Sequence, residues 1–491
     1  MGRRTQTHQD SPGGDSRPEC GPGPHPCPNP ETKTRPALSI GPILVRTLRH
    51  FFPDLNDWID QFPESRAGPR ILYHRRFLVW VGLFLFLGKL GSRRQIDYQL
   101  SEPGAEVLGN LNRLAGTQQT SMPVNKTLDD YLAAVGTNPP RELRRQMMHR
   151  LVRMRVLDAT RLQKSYVVPV DGTGYLVFQD RHCEHCLTRK HGDKTLYMHQ
   201  ALEAKVVGPG GMVLSIATEF IDNRDCVGLP ATAGEEKRKQ DCELKALRRL
   251  AVSLRQDFPQ LPICLSGDAL NACGEGFQIA KDYDLRFIHV FKPGRMPALW
   301  QEFQSLLALC PNQKVVVHTP DGVHQVYRWV NDLDYQDSAG RNWKLNAIQC
   351  EETKKDGTKS TWAWLTCPKV RVAAETVQEV ATKGGRPRWC IENEGFNVQK
   401  TSDLNLEHAY SEGEHWGVYY YLLQIAHIVL QLLERGSLLL NLAQEQGKCS
   451  AVALFGSLKN MALRLVESLR NLAWPEEVFR PVRMQIRFDT S

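Results

Sequence analysis

Apolar residues recur at helical spacing from about Ala37 to Leu162, with breaks such as Gly68-Pro69. This pattern predicts a helical region. Its densest apolar run, Phe77 to Gly88, is flanked by basic residues and is too short to cross a bilayer core of roughly 30 Å. The run therefore predicts a helix that is buried inside the protein.

Basic residues are frequent around this apolar helix, and the segment GSRRQIDYQL follows it directly. Two interpretations stay open. The segment is compatible with the turn and second helix of a helix-turn-helix that reads DNA, and equally with the solvated face of an ordinary helix. The arginines concerned are Arg93, Arg94, Arg141, Arg144, Arg145, Arg150, Arg153 and Arg155.

The pattern changes at Ser165, where three strand-length runs rich in β-branched residues begin: SYVVPVDGTGYLVFQD, YMHQALEAKVV and GGMVLSIATEFI. A charged helical pattern, the strand PICLSGDAL, a short helix and the strand RFIHVFKPG follow. The order β-β-β-α-β-α-β predicts an α/β fold with a mixed sheet whose parallel strands are joined by helices.

The remainder of the chain predicts a β-rich insertion and then two long helices, Glu412 to Gln444 and Ala451 to Leu472, that close over the sheet. At 491 residues the chain is longer than one typical domain, so several modules are expected. The expected divisions are a disordered tail (1–36), a helical DNA-binding region (37–162), the first part of a catalytic domain (163–310), the β-rich insertion (311–383) and a C-terminal helical part (384–480).

Composition adds a preference for a polyanionic partner, because 62 Lys and Arg against 54 Asp and Glu give a formal charge of +8. A mildly basic protein without such a partner fits the same numbers. The 13 scattered cysteines follow a polar, Gly- and Pro-rich start that does not resemble a signal peptide. We therefore expect a reducing, cytoplasmic location.

Two acidic residues are predicted to follow apolar strands. Asp171 comes after SYVVPV, and Asp268 comes after PICLSG. A carboxylate at the rim of a sheet stays hydrated enough to ionise and is held rigidly, which suits a metal ligand. Each residue alone also fits a local role, since Asp-Gly favours turns and Gly-Asp before a helix favours an N-cap.

A third acid lies in GGRPRWCIENEGFNVQK, where Pro387 predicts a helix start. Helical spacing places Arg388 on the same face as Glu392, and Glu394 points away from that face. Glu392 is therefore the better ligand candidate, with Arg388 beside it to contact a phosphate. The alternatives are that Glu394 is the third ligand, or that Arg388 and Glu392 form only a surface ion pair.

This arrangement of strand Asp, strand Asp and helix Glu, with a β insertion before the last, resembles the DDE transposases of bacterial insertion sequences. These belong to the superfamily of retroviral integrases and RNase H. The closest subgroup carries a Tyr/Arg/Glu/Lys signature, and the run Arg388 to Glu392 matches its Arg-Trp-x-Ile-Glu core. Gly385 stands where the signature Tyr would be, and Lys400 lies one position beyond the place of its Lys.

The resemblance implies an RNase H-like fold and a transposase that cleaves and joins DNA at the ends of an insertion sequence. Two Mg²⁺ or Mn²⁺ ions would be held by Asp171, Asp268 and Glu392. It also implies double-stranded DNA as the partner, a homodimer on DNA and a nucleoid-associated location in a bacterium. Alternatives are an RNase H-like nuclease without strand joining and a non-catalytic DNA-binding descendant.

Further basic side chains are expected to contact DNA phosphates. Lys292 and Arg295 follow the strand after Asp268, and the resemblance assigns Arg388 and Lys400 the same role. Trp389 is expected to pack in the core rather than to stack on a base.

The segment His182 to Cys186, with His191 and His199 further on, contains enough nitrogen and sulfur ligands for zinc. A single Cys-x-x-Cys lacks a second pair at a standard spacing, so the sequence favours unliganded loop residues over a zinc site.

Overall fold

The computed structural model describes residues 40–66, 68, 71–101, 106–180, 183–224, 240–401, 403–411, 415–481 and 484–488. The tail expected at 1–36 lies outside these residues. Leu38–Ser491 form one compact unit, so the predicted helical region and the predicted sheet belong to the same body. One cluster of buried apolar side chains extends from Ile40 to Ile486.

A ten-stranded sheet organises this unit, in the order β2-β3-β1-β5-β6-β10-β9-β8-β7, with β4 also paired to β3. The β1–β5 and β5–β6 pairs are parallel, and the other pairs are antiparallel. This confirms the predicted mixed sheet, although the predicted order β-β-β-α-β-α-β lacked one short strand, Leu187–His191. The strands are β1 (Tyr166–Phe178), β2 (Leu187–His191), β3 (Lys194–Val207), β4 (Val213–Ile221), β5 (Ile263–Gly267), β6 (Arg286–Val290), β7 (Lys314–His318), β8 (His324–Gln336), β9 (Asn342–Thr353) and β10 (Lys359–Thr366).

Strand β1 is longer than the sequence pattern suggested. The prediction that a strand ends just before Asp171 was wrong, because β1 continues to Phe178 through the Gly-rich segment. The parallel pairing of β1 with β5 nevertheless stops at Pro169. Beyond that point β1 keeps antiparallel pairing with β3, where Asp171 lies opposite Glu203. Asp171 is thus inside a strand but beyond its last pair with β5.

Before the sheet, the described residues form α1 (Ile40–Phe51), α2 (Leu55–Ile59), α3 (Arg75–Leu87), α4 (Val107–Ala115), α5 (Asn125–Val135) and α6 (Asn138–Arg153). Eleven residues of α3, from Phe77 to Leu87, are buried, which confirms the predicted core helix.

The segment after α3 is a short π-helix, Ile96–Leu100, whose two end residues are buried. A single five-residue turn of this kind does not form the exposed second helix that a helix-turn-helix would need. The arginines are not all solvated either: Arg144 is buried, and Arg93 forms an ion pair with Asp129.

In the described part of the chain, α7 (Glu243–Asp257), α8 (Gly274–Asp282) and α9 (Pro297–Leu309) connect or cover the central strands. After β10 the chain forms the helical segment α10, in which Val377–Glu379 continue as the π-helix Val380–Gly385. A second helical segment, α11, spans 388–401 and consists of Arg388–Cys390, the π-helix Ile391–Asn397 and Val398–Thr401. Gly395 therefore widens this helix and does not interrupt it.

The prediction of two long C-terminal helices was wrong, because the described residues of this region divide into α12 (Trp416–Arg435), α13 (Ser437–Glu445), α14 (Ala451–Phe455) and α15 (Leu458–Asn471). Gly436 separates the first two because it is extended and bridges to Phe488, where a Cβ would lie 2.6 Å from the Leu432 carbonyl oxygen. Gly456 separates the last two with a positive φ of 80°.

Helix α12 is the central helix of the core. Within the described residues, it alone is long and apolar enough to cross a membrane by length and composition, and its most apolar stretch is completely buried in the protein. Its packing against α3 and β4 accounts for this apolar character. Polar contacts also join it to the sheet: Gln431 accepts a hydrogen bond from the Val213 N–H (2.8 Å) and donates to the Val213 carbonyl (2.9 Å).

Candidate active site

The two candidate aspartates lie near the same edge of the sheet. Asp268 follows Gly267, the last residue of β5, and Asp171 lies two residues beyond the last β1–β5 pair. Because β1 and β5 are parallel, both chains leave their pairing at the same end. Asp268 also stabilises a local turn, since its Oδ1 accepts a hydrogen bond from the Leu270 N–H at 2.9 Å.

Helix α11 brings the third acid to Asp171. Arg388 Nη1 donates to Glu392 Oε1 at 2.8 Å and to Asp171 Oδ2 at 3.5 Å. The Arg388 side chain is only 10% exposed, so this guanidinium neutralises the two carboxylates at close range. The helical spacing read from the sequence therefore places Arg388 and Glu392 together, and the fold adds Asp171 to the pair.

Glu394, the alternative third acid, faces a different partner. Its Oε2 accepts from Arg435 Nη2 of α12 at 2.8 Å. This ion pair directs the Glu394 carboxylate towards α12. The geometry therefore favours Glu392 over Glu394.

A fourth carboxylate, Glu243, joins the group, and the sequence analysis missed it. Glu243 is the first residue of α7, and its side chain fills the space beside Gly172 that a Cβ there would need. Its charge acts on both Asp171 and Asp268. An acid in the first turn of a helix is common because it complements the helix dipole, so the sequence carried no signal for a further role.

The electrostatics of these acids favour a cation. Burial raises the pKa of Asp171 to about 7; Arg388 opposes this shift, and the carboxylates of Glu392 and Glu243 add to it. Burial, and then the charge of Asp268, raise the pKa of Glu243. Converging carboxylates with raised pKa values repel each other, and a divalent cation would remove that repulsion.

The donor set suits Mg²⁺ or Mn²⁺, which prefer carboxylate oxygens. The acids are not gathered as tightly as the ligands of a bound ion. Among the described residues, only Cys183, Cys186 and His199 bring three metal-binding side-chain atoms within 4.8 Å of one another. Arg388 lies between Asp171 and Glu392, so an ion bound there would have to displace this cation from one of them.

A cleft of about 470 Å³ opens beside these acids. Asp268 and Arg388 both line it, together with Lys292 and three tryptophans, Trp362, Trp364 and Trp389. Arg386, also in its wall, is paired with Glu352 at 2.7 Å. The cleft therefore combines one of the candidate acids, Asp268, with basic and aromatic side chains.

The other predicted DNA contacts are distributed unevenly. Lys292 lines the cleft. Arg295 is nearby and donates to the Leu270 carbonyl at 3.3 Å. Lys400 instead forms an ion pair with Glu407 at 2.9 Å and is not among the cleft residues. Only Lys292 and Arg388 of the four are therefore part of the cleft.

In the signature region, Trp389 differs from expectation, and the packing around Gly385 explains why the signature Tyr is absent there. The expectation that Trp389 packs in the core was wrong: it is 46% exposed and makes an edge contact with Trp362, with ring centroids 6.0 Å apart. At Gly385 a Cβ would collide with the buried Trp364 indole, so no side chain fits where the signature has Tyr.

Fold and site together define an α/β protein with a large mixed sheet, flanking helices and a cleft at one sheet edge, where Asp268 lies among basic and aromatic side chains. No family model matches the chain, and no curated protein matches it. Among solved structures, a cryo-EM structure of a piggyBac transposase synaptic complex with hairpin DNA aligns with 87% of this chain and 80% of its own. The identity is 11% and the TM-score 0.37, which is too distant a likeness to assign fold or function.

Proposed function

We propose that this protein is a DNA transposase of the DDE type, with an RNase H-like catalytic core. It would cleave phosphodiester bonds and transfer strands at the ends of an insertion sequence. The observation that carries the proposal is the convergence of carboxylates from separate elements, Asp171 of β1, Glu392 of α11 and Glu243 of α7, at the sheet edge that also carries Asp268.

The strand order supports the RNase H-like part of the proposal. Strands β4, β3, β1, β5 and β6 are consecutive neighbours, with the first three antiparallel and the last three parallel. The remaining strands β7 to β10 extend the sheet from β6. They lie in the chain between Asp268 and Glu392, where the resembling subgroup has its β insertion.

Asp171, Asp268 and Glu392 would hold two Mg²⁺ or Mn²⁺ ions. When bound, such ions activate the attacking oxygen and stabilise the leaving oxygen in an in-line displacement at phosphorus. Glu243 adds negative charge behind Asp171 and Asp268, which strengthens the attraction of this edge for divalent cations.

The basic and aromatic groups of the cleft would bind the DNA. Lys292 and Arg388 would contact phosphates near the scissile bond, and the exposed face of Trp389 would stack on a base. On binding, a phosphate would compete for Arg388 and release Asp171 and Glu392 for the ions. We keep Arg295 and Lys400 as expected contacts at the margin of the site.

The first experiment measures cleavage and joining of DNA that carries the flanks of the gene, with Mg²⁺, for wild-type, Asp268→Asn and Glu394→Gln protein. Joined products should form with the wild type and with Glu394→Gln, whose carboxylate faces Arg435. Asp268→Asn should lose cleavage by at least about a hundredfold and keep DNA binding, because the metal ligand is lost and the shape is retained.

The alternatives give different results in this assay. Cleavage without joined products by the wild type would indicate an RNase H-like nuclease. If the wild-type protein binds the DNA but shows no metal-dependent cleavage, the chain is a non-catalytic DNA-binding descendant. Equal loss of binding and cleavage in Asp268→Asn would show that this residue is structural.

The partner in this proposal is double-stranded DNA, at the element ends and at the target. A homodimer that holds two ends and a bacterial, nucleoid-associated location are parts of the same proposal, and they follow from the resemblance alone. Size measurement of the protein with and without end DNA tests the dimer.

A further inference from the structure

Two cysteines and a histidine meet at the far end of the β1–β3 pair from Asp171. Cys183 and Cys186 lie in the loop before β2, and His199 lies within β3, opposite Leu176 of β1. Cys186 and His199 are buried, and Cys183 is half-buried. The three ligand atoms lie within 4.8 Å of one another.

The distances between these atoms match the edges of a zinc coordination tetrahedron. The two sulfurs are 3.6 Å apart, and His199 Nε2 lies 3.3 Å from Cys183 Sγ and 3.5 Å from Cys186 Sγ. Zn–S bonds of about 2.3 Å and a Zn–N bond of about 2.0 Å in tetrahedral geometry place two sulfurs roughly 3.8 Å apart and a sulfur and a nitrogen roughly 3.5 Å apart. A disulfide would instead need sulfurs about 2.05 Å apart.

We propose that Cys183, Cys186 and His199 bind a structural Zn²⁺ ion, with the fourth coordination position taken by a further donor. Soft thiolate and imidazole ligands select zinc over the hard ions that carboxylates prefer. The Cys-x-x-Cys has no second cysteine pair at a standard spacing in the sequence. In the fold, a histidine from β3 supplies the third ligand instead. This is why ligand spacing along the chain did not favour the site.

The ion would fasten the loop before β2 to the central strands. Aromatic rings already enclose His199, with the Trp416 ring centroid 5.1 Å away and that of Tyr175 6.4 Å away. The loop is also tied to the end of β4, because Asn223 Nδ2 donates to the Cys186 carbonyl at 2.9 Å. Zinc would therefore hold the β2–β3 hairpin and the end of β4 in one arrangement.

The test is the metal content of the full chain, purified without chelators, supplied with Zn²⁺ and then desalted. We expect about one zinc per chain in the wild type. Cys183→Ser should contain at most about one tenth of the zinc found in the wild type. Cys310→Ser removes an exposed thiol outside the cluster and should contain as much zinc as the wild type. A wild type without zinc, or a disulfide between Cys183 and Cys186 in the purified protein, would overturn the proposal.

Cobalt substitution tests the site on the wild-type protein, so it does not depend on whether Cys183→Ser folds. Co²⁺ added to metal-free wild-type protein should show thiolate-to-cobalt charge-transfer absorption and the visible bands of tetrahedral coordination. Octahedral bands without a thiolate signal would contradict the proposal. The site is independent of the proposed function: Asp268→Asn should keep its zinc, so a failure of one proposal is distinguishable from a failure of the other.

Discussion

At the scale of single residues, Asp171 shows how a buried position sets the chemistry of a side chain. The residue is held beyond the β1–β5 pairing, 21% exposed in its side chain, with two further carboxylates acting on it. Burial raises its pKa to about 7, so this carboxyl is only partly ionised at neutral pH in the metal-free protein. A carboxylate whose burial destabilises the folded state, and which a bound cation would stabilise, is typical of a functional site.

In the presence of EDTA, we expect the free energy of unfolding of Asp171→Asn to exceed that of the wild type by a margin that grows as the pH rises. The folded pKa of about 7 lies above the ordinary value of 3.8, so the folded state favours the protonated acid. The wild type therefore loses stability from about pH 4 upward, and the loss is complete above about pH 7. Chemical denaturation at about pH 5 and pH 8 should show the difference between the two proteins changing by on the order of 2 kcal/mol.

Added Mg²⁺ provides the control for this prediction. It should stabilise the wild type at about pH 8 and leave Asp171→Asn nearly unchanged, because the ion binds only the ionised ligand. A stability difference that stays constant with pH would contradict the proposed burial of Asp171.

At the scale of elements, the start of helix α7 contributes a charge to a site that is otherwise made by β1, by the residue after β5 and by α11. Glu243 is aimed at the acids because Gly172 of β1 leaves room for its side chain. The neighbouring helix α8 offers a comparison, since Glu275 in its first turn is paired with Arg248 and is 41% exposed. The two acids have similar positions in their helices and different surroundings.

We expect Glu243→Gln to raise the Mg²⁺ concentration needed for DNA cleavage by about ten- to a hundredfold, the size usual for residues that support metal ligands. The physical reason is the loss of a negative charge that acts on Asp171 and Asp268. Glu275→Gln is the matched control and should cleave like the wild type. A Mg²⁺ requirement that Glu243→Gln leaves unchanged would remove Glu243 from the site.

At the scale of the whole molecule, buried charges link α6, the sheet and α12. The carboxylate of Glu203 in β3 accepts hydrogen bonds from the hydroxyls of Ser215 (2.8 Å) and Thr218. These two hydroxyls in turn accept hydrogen bonds from the guanidinium of Arg144 in α6. Lys205 lies 3.7 Å from Glu203 and donates to Gln424 of α12 at 2.8 Å. Burial lowers the pKa of Lys205 to about 8, and Glu203 opposes the shift.

We expect Glu203→Ala to destabilise the protein by about 3–5 kcal/mol, because it leaves Arg144 and Lys205 as buried charges without their anion. Glu142→Ala removes an acid from the surface of α6, where it pairs with Arg145, and should change stability by about 0.5 kcal/mol or less. Both values are measured as the free energy of unfolding in denaturant. Similar losses of stability in the two variants would show that the buried network around Glu203 contributes no more to stability than a surface ion pair.

The sequence by itself determined the elements whose signals are local. The apolar run of α3 and the helical face shared by Arg388 and Glu392 follow from periodicity over a few residues, and the structure has them. Within the described residues, the predicted order of strands and helices from Ser165 to the strand before Phe291 holds except for β2, a short strand that the pattern did not predict. Asp171 and Asp268 were recognisable as candidates for the same reason, since each follows a short apolar run.

Only the tertiary structure decided which of these residues meet. The continuation of β1 past Asp171, the pairing of Glu394 with Arg435, the exposure of Trp389 and the approach of Glu243 depend on contacts between elements far apart in the chain. The same holds for His199 beside Cys183 and Cys186. Side-chain periodicity reports which face of an element is buried, and it contains no information about which distant face packs against it.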